Sequence, residues 1–263
     1  MNRLRLAAAA ALALAALSAH ARDEQLVFDM CVLEKAYIDP LFFTSNQSFP
    51  KTAASFPAFK RAWAAFSATY RSYRPDETNW KVHFDAVERA IAEAEAIVVA
   101  AQPACSPTPT APCPQLVPAH DALEAVRLEL LELRSHNGYP RFITDKLTAY
   151  HGPMEAMVLT VKGLTAAQIT DELIAALSES FHEAAFLWDA VERTPIDDAW
   201  GFTATQRATI AARIAGERSA LDAFGRALAT ADRANIPALG VALKQAFVPV
   251  YTSFAGDPVL NRL

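Results

Sequence analysis

Two copies of the pattern His-x-x-x-Glu are the part of this sequence most suited to chemistry. They run from His120 to Glu124 and from His151 to Glu155. Residues four apart on a helix lie one turn apart on the same face, so each pair presents an imidazole beside a carboxylate. Imidazole and carboxylate groups together are ligands for zinc, iron and copper. The pattern therefore predicts that these four side chains bind a metal ion.

A turn between the two motifs is expected to place them side by side on neighbouring helices. A turn near Gly138 would make the two helices an antiparallel hairpin, in which residues at equal height have numbers that sum to about 275. His120 with Glu155 meets this condition, and so does Glu124 with His151. We therefore expect each histidine to face the glutamate of the other helix.

Three further residues are predicted to support this site. Arg127 and Arg134 continue the stripe of the first motif, and a guanidinium can hold a metal-binding carboxylate in place. Met154 adjoins the second motif, and its soft sulfur would favour copper.

The same residues allow other interpretations. Charged groups inside a bundle are normally paired, so the cluster could be a structural network in a scaffold or partner-binding protein. Non-covalent haem on His120 or His151 is another alternative, whereas a Cys-x-x-Cys-His site for covalent haem is absent from the sequence. A metallohydrolase would need an open metal position and a cleft. No nucleophile or cofactor motif stands out, so the sequence favours binding or sensing over catalysis.

The elements that must position these residues are predicted to be helices. The chain has only 8 glycines and no strand pattern of useful length. Phe59, Trp63, Phe66 and Tyr70 recur at the spacing of one helix face, which is typical of core packing. We predict an all-α, antiparallel helical bundle with a four-helix core over about residues 78–193 and flanking helices.

Prolines and threonines predict several helix boundaries. The first helix is expected to end before Asp39-Pro40, and the helix that carries His151 should kink or break at Gly152-Pro153. Thr165-x-x-Gln168 and Thr203-x-x-Gln206 resemble capping boxes and are expected to open two later helices.

Residues 1–21 have the three parts of a secretory signal peptide. Arg3 and Arg5 are basic, an apolar run too short to span a bilayer follows, and Ala19-His20-Ala21 forms a cleavage site. We expect residues 22–263 to be a single all-α domain in the periplasm, without a membrane span.

The cysteines predict one structural disulfide. Cys105 and Cys113 flank proline-rich residues within the loop 102–118, a candidate subdomain boundary, and a bond between them would close a small loop. Cys31 lies in an apolar stretch and is expected to be a buried, inert thiol.

The charge of the chain argues against nucleic acid as a partner. The formal net charge is −5, and removal of Arg3 and Arg5 with the leader makes it about −7. Phosphate binding needs a basic surface, which this balance does not favour. A protein partner remains open.

Overall fold

The computed structural model describes the backbone of residues 2–74, 78–105, 111–139 and 142–256 and, within these ranges, the side chains of 23–74, 79–105, 111–139 and 142–256. Eight α-helices lie in this part of the chain, which contains no strand. They are α1 (Asn2–Ser45), α2 (Phe49–Tyr70), α3 (Thr78–Cys105), α4 (Val117–His136), α5 (Ile143–Val161), α6 (Asp171–Arg193), α7 (Ala204–Ala229) and α8 (Ile236–Thr252). The side chains of the predicted signal peptide and residues 106–110 of the proline-rich loop lie outside the described residues.

The predicted all-α helical bundle is confirmed, but its helices pair differently from the expected core over residues 78–193. Helices α1 to α4 pack together as one four-helix unit, and α5 to α8 pack together as a second. Helices α4 and α5 have little direct contact, because α4 packs on α1 and α3 whereas α5 packs on α6 and α8. One continuous hydrophobic core nevertheless includes residues from both units.

Helix α1 does not end before Asp39-Pro40, as the sequence predicted, but continues to Ser45. Pro40 lacks a backbone donor. The flanking residues Tyr37, Ile38 and Leu41 are at most 3% exposed, and their burial favours a continued helix over a break. Continuation past Pro40 brings the last turn of α1 against the second unit.

Helix α5 likewise runs through Gly152-Pro153 without a break. Tyr150, Met154 and Met157 lie on either side of the proline and are almost completely buried, so packing holds both halves of the helix in place.

The two predicted capping boxes have different outcomes. Thr203 caps α7, where its side chain accepts a hydrogen bond from the Gln206 backbone N–H, as expected. Thr165 and Gln168 also pair, but they open a short 3₁₀ turn. Helix α6 begins later, after Thr170, whose side chain accepts from the Leu173 N–H.

The predicted disulfide and core residues are confirmed. Cys105 and Cys113 are bonded, with their Cα atoms 5.6 Å apart, and lie in a small apolar cluster of their own. Cys31 is fully buried, and burial raises the pKa of its thiol to about 12. The aromatic stripe of α2 lies in the main core.

Within the described part of the chain, none of the helices combines the length and the apolar character needed to cross a bilayer.

Candidate functional site

A cavity of about 320 Å³ opens where the two four-helix units meet, and all four residues of the His-x-x-x-Glu motifs line it. His120 and Glu124 come from α4, and His151 and Glu155 from α5. The wall also includes Arg127 on α4, Leu41 and Phe42 on α1, and Lys244, Phe247 and Tyr251 on α8.

The spacing of these residues places their side chains on the helix faces that line the cavity. On α4 the spacing from Glu124 to Arg127 is three residues, and on α8 the spacing from Lys244 to Phe247 is also three. Residues three or four apart share a helix face, so each helix contributes one polar or mixed stripe. The apolar face of the same helix packs in the core, which fixes the rotation of the stripe.

Each glutamate of the cavity is paired with a cation. Glu124 accepts from the Arg127 guanidinium, and Glu155 Oε1 lies 2.7 Å from Lys244 Nζ. The side chains of Glu124 and Glu155 are 23% and 22% exposed, so both carboxylates remain reachable. The two pairs together have a net formal charge of zero.

A backbone contact orients His120. Its Nδ1–H donates to the carbonyl oxygen of Leu41 at 3.2 Å. The other ring nitrogen, Nε2, lies 3.6 Å from Glu124 Oε1. This contact exists because α1 continues past Pro40.

His151 is held in its neutral form. Burial lowers its pKa to about 3, and the positive charges of Arg127 and Lys244 act in the same direction. Arg127 Nη2 donates to His151 Nδ1 at 3.4 Å. The proton of the neutral ring is therefore on Nε2, which makes that nitrogen a donor.

Two of the three residues that the sequence placed beside the motifs do not line the cavity. Arg134 is 3% exposed and contacts Glu34 Oε1 at 2.7 Å and Asp145 at 3.1 Å, so it joins α1, α4 and α5. Met154 is fully buried in the core. Only Arg127 lies where it was predicted.

The α8 residues of the cavity had no signal in the sequence. Lys244, Phe247 and Tyr251 lie more than ninety positions beyond His151 and match no motif with it. Their place depends on the packing of α8 against α5, which only tertiary structure reveals.

Among the residues that the structure describes, no three His, Cys, Asp or Glu side chains converge as a group that could hold a metal ion. What the lining offers directly is a mixture of hydrogen-bond donors and acceptors beside an apolar wall.

No protein-family model matches the chain, and no curated protein and no solved structure matches it significantly.

Proposed function

We propose that this protein binds a small, neutral or zwitterionic organic ligand in the cavity between its two four-helix units. The observation that carries the proposal is that charged and polar side chains from α4, α5 and α8 converge on one cavity beside apolar residues of α1 and α8. Binding, rather than catalysis, is the activity we assign to it.

The size and lining of the cavity fit an organic molecule. Ligand pockets in proteins have volumes of about 300–1,000 Å³ and combine mostly apolar walls with a few placed polar groups. Here Leu41, Phe42 and Phe247 supply the apolar wall, and the volume of about 320 Å³ is at the small end of that range.

The polar groups define the ligand's chemistry. His151 Nε2–H and Lys244 can donate to an acidic or carbonyl oxygen. Glu124 and Glu155 can accept from an amino group or a hydroxyl. Because the two ion pairs cancel in charge, a ligand with a net charge would leave one charge uncompensated, at a desolvation cost.

A thermal-shift screen with the twenty standard amino acids, each added singly, tests this proposal. A ligand at one hundred times its Kd stabilises the folded state by about 2.7 kcal/mol. For a chain of this size that corresponds to a rise in Tm of about 5–10 °C. We expect at least one zwitterion to reach this range, and simple dicarboxylates and diamines to fall below it.

Two matched variants localise the effect. Lys244→Gln removes a cavity lysine that pairs with a glutamate, and Lys60→Gln removes a similarly exposed lysine that pairs with Glu95 away from the cavity. Lys244→Gln should reduce the shift, whereas Lys60→Gln should leave it unchanged. No shift with any zwitterion, or an equal effect of both substitutions, would reject the proposal.

Metal binding by His120, Glu124, His151 and Glu155 is the second candidate. It is favoured by the His120 Nδ1–H bond to a backbone carbonyl, which is common in metal-binding histidines, and by the neutral state of His151. Glu124 and Glu155 would have to exchange Arg127 and Lys244 for the ion. Elemental analysis for zinc, iron and copper tests it, with the His120→Gln/His151→Gln variant expected to lose one metal equivalent. A visible spectrum of the same sample tests the haem alternative.

Export to the periplasm is part of the proposed function. It is supported by the tripartite pattern of residues 1–21. N-terminal sequencing of the protein recovered from the periplasm should begin at Arg22, and an uncleaved chain in the cytoplasm would contradict the proposal.

A further inference from the structure

A second cluster of histidines and carboxylates lies between α3 and α4, apart from the cavity. His83 on α3 stacks on His136, the last residue of α4, with ring centroids 5.3 Å apart and planes inclined by 26°. The inner nitrogens, His83 Nε2 and His136 Nδ1, are 3.1 Å apart. Each outer nitrogen faces a carboxylate of α4, His83 Nδ1 at 2.7 Å from Glu129 and His136 Nε2 at 3.2 Å from Glu132.

The number of protons on the four ring nitrogens decides which of these contacts are favourable. Both carboxylates are acceptors, so each outer nitrogen is satisfied when it bears an N–H. A neutral imidazole has one N–H, and its other nitrogen is then a lone pair. With both outer nitrogens protonated and both rings neutral, the two inner nitrogens carry lone pairs only 3.1 Å apart. Either a proton shared between them or a metal ion bound to one side of both nitrogens removes their repulsion.

A divalent metal ion would remove this repulsion. Nitrogens bound to zinc at about 2.0–2.1 Å lie roughly 3.0–3.4 Å apart around the ion, and the inner nitrogens here are 3.1 Å apart. Metal-binding histidines commonly donate their other N–H to a carboxylate, as both rings do here. Two carboxylates balance the charge of a divalent ion, and the carboxyl end of α4 adds a favourable dipole.

We propose that His83 and His136 bind one divalent transition-metal ion such as Zn²⁺, with Glu129 and Glu132 as positioning residues that orient the two rings. His136 has a side chain 52% exposed, so water can reach the ion and complete its coordination. This site is independent of the proposed ligand cavity.

Calorimetric titration of ZnCl₂ into the chelator-treated full chain at pH 7.5 tests the proposal. The His120→Gln/His151→Gln background removes both histidines of the cavity, so zinc binding there cannot be mistaken for the new site. In that background we expect one zinc equivalent to remain. Adding His136→Gln, at an exposed position that folding tolerates, should weaken binding at least tenfold.

Two further variants complete the test. Glu132→Gln should weaken zinc binding by a smaller factor, because it removes an acceptor and not a ligand. His182→Gln changes an exposed histidine on α6 and should have no effect. Two results would overturn the proposal: zinc binding that His136→Gln leaves unchanged, or no zinc binding by the His120→Gln/His151→Gln variant. Either result would favour a proton shared between the two rings.

Discussion

At the scale of single residues, His151 is the group whose state is most altered by its surroundings. It is buried beside two cations, and these conditions lower its pKa from 6.5 to about 3. The neutral ring can accept from Arg127 and donate to a ligand at the same time. The sequence predicted that each histidine would face the glutamate of the other helix, and all four residues do line one cavity. The contacts differ from that prediction, because Arg127 contacts His151 and Lys244 pairs with Glu155. The sequence could not predict the neutral state, which depends first on burial and then on the charges of Arg127 and Lys244.

We expect the His151 ring to stay neutral down to about pH 4. The unfolded chain takes up a proton near pH 6.5 and the folded chain near pH 3, so the free energy of unfolding should fall as the pH drops between these values, by about 1.4 kcal/mol per pH unit. Imidazole ¹⁵N spectra report the ring, and urea unfolding reports stability.

The comparison of two variants isolates this contribution. His151→Gln should remove that slope, and the exposed His182→Gln should retain it. A His151 ring that titrates near pH 6.5 would contradict the assignment.

A second altered residue, Glu217, has the opposite pH dependence. It is completely buried in the second unit, where Tyr150 donates to it. Burial raises its pKa to about 8, against 4.5 in the unfolded chain. Between these values the folded state holds one proton more than the unfolded state, so this group's contribution to stability is lost as the pH rises.

Glu217→Gln, which keeps the shape without the charge, should therefore flatten the decline in stability above pH 5. Wild type should lose about 1.4 kcal/mol per pH unit from this group up to pH 8. Urea unfolding at pH 5 and pH 8.5 measures the difference, with the exposed Glu183→Gln as the control. If both variants retain the wild-type decline, Glu217 is ionised in the folded protein.

At the scale of elements, local rules predicted helix identity well and helix ends less well. Glycine-poor, periodic stretches became helices, and Thr203 capped α7 as expected. Pro40 and Pro153 did not interrupt their helices, because buried residues on both sides hold the chain helical. Propensity is a local quantity, whereas the compensating burial comes from neighbouring helices that a single-sequence pattern does not reveal.

Arg134 connects three elements, and its loss should be severe. It pairs with Glu34 of α1 and Asp145 of α5 at positions that are about 3% exposed. Arg134→Met would leave two buried carboxylates without a cation and should lower the free energy of unfolding by about 3–5 kcal/mol. Chemical denaturation measures this change.

Arg71 supplies the matched control. It also pairs with two carboxylates, Asp85 and Glu88, but its side chain is 33% exposed. Arg71→Met should therefore change stability by less than about 1 kcal/mol. An equal effect of the two substitutions would show that burial does not govern the Arg134 network.

At the scale of the whole molecule, the helices form two four-helix units that share one hydrophobic core. The sequence could not reveal this pairing, because it does not show which helices the apolar faces of α1 and α8 pack against. This pairing of helices determines where the cavity forms. The cavity lies where helices of the first unit meet helices of the second, and it draws residues from α1, α4, α5 and α8.

Because one hydrophobic core joins the two units, we expect them to unfold together. Tryptophans report on both, with Trp63 and Trp80 in the first unit and Trp188 in the second. Thermal unfolding followed by fluorescence and by far-UV circular dichroism should give one coincident transition, with calorimetric and van't Hoff enthalpies equal. Two separated transitions would mean that the units are independent domains.

The central claim is that a ligand enters the cavity where His120 and His151 meet. Imidazole ¹⁵N spectra, recorded with and without the amino acid that raises Tm most, test it directly. If the ligand binds in the cavity, the resonances of His120 and His151 should shift on binding while those of His182 should not. A stabilising amino acid that leaves both cavity histidines unchanged would contradict the account.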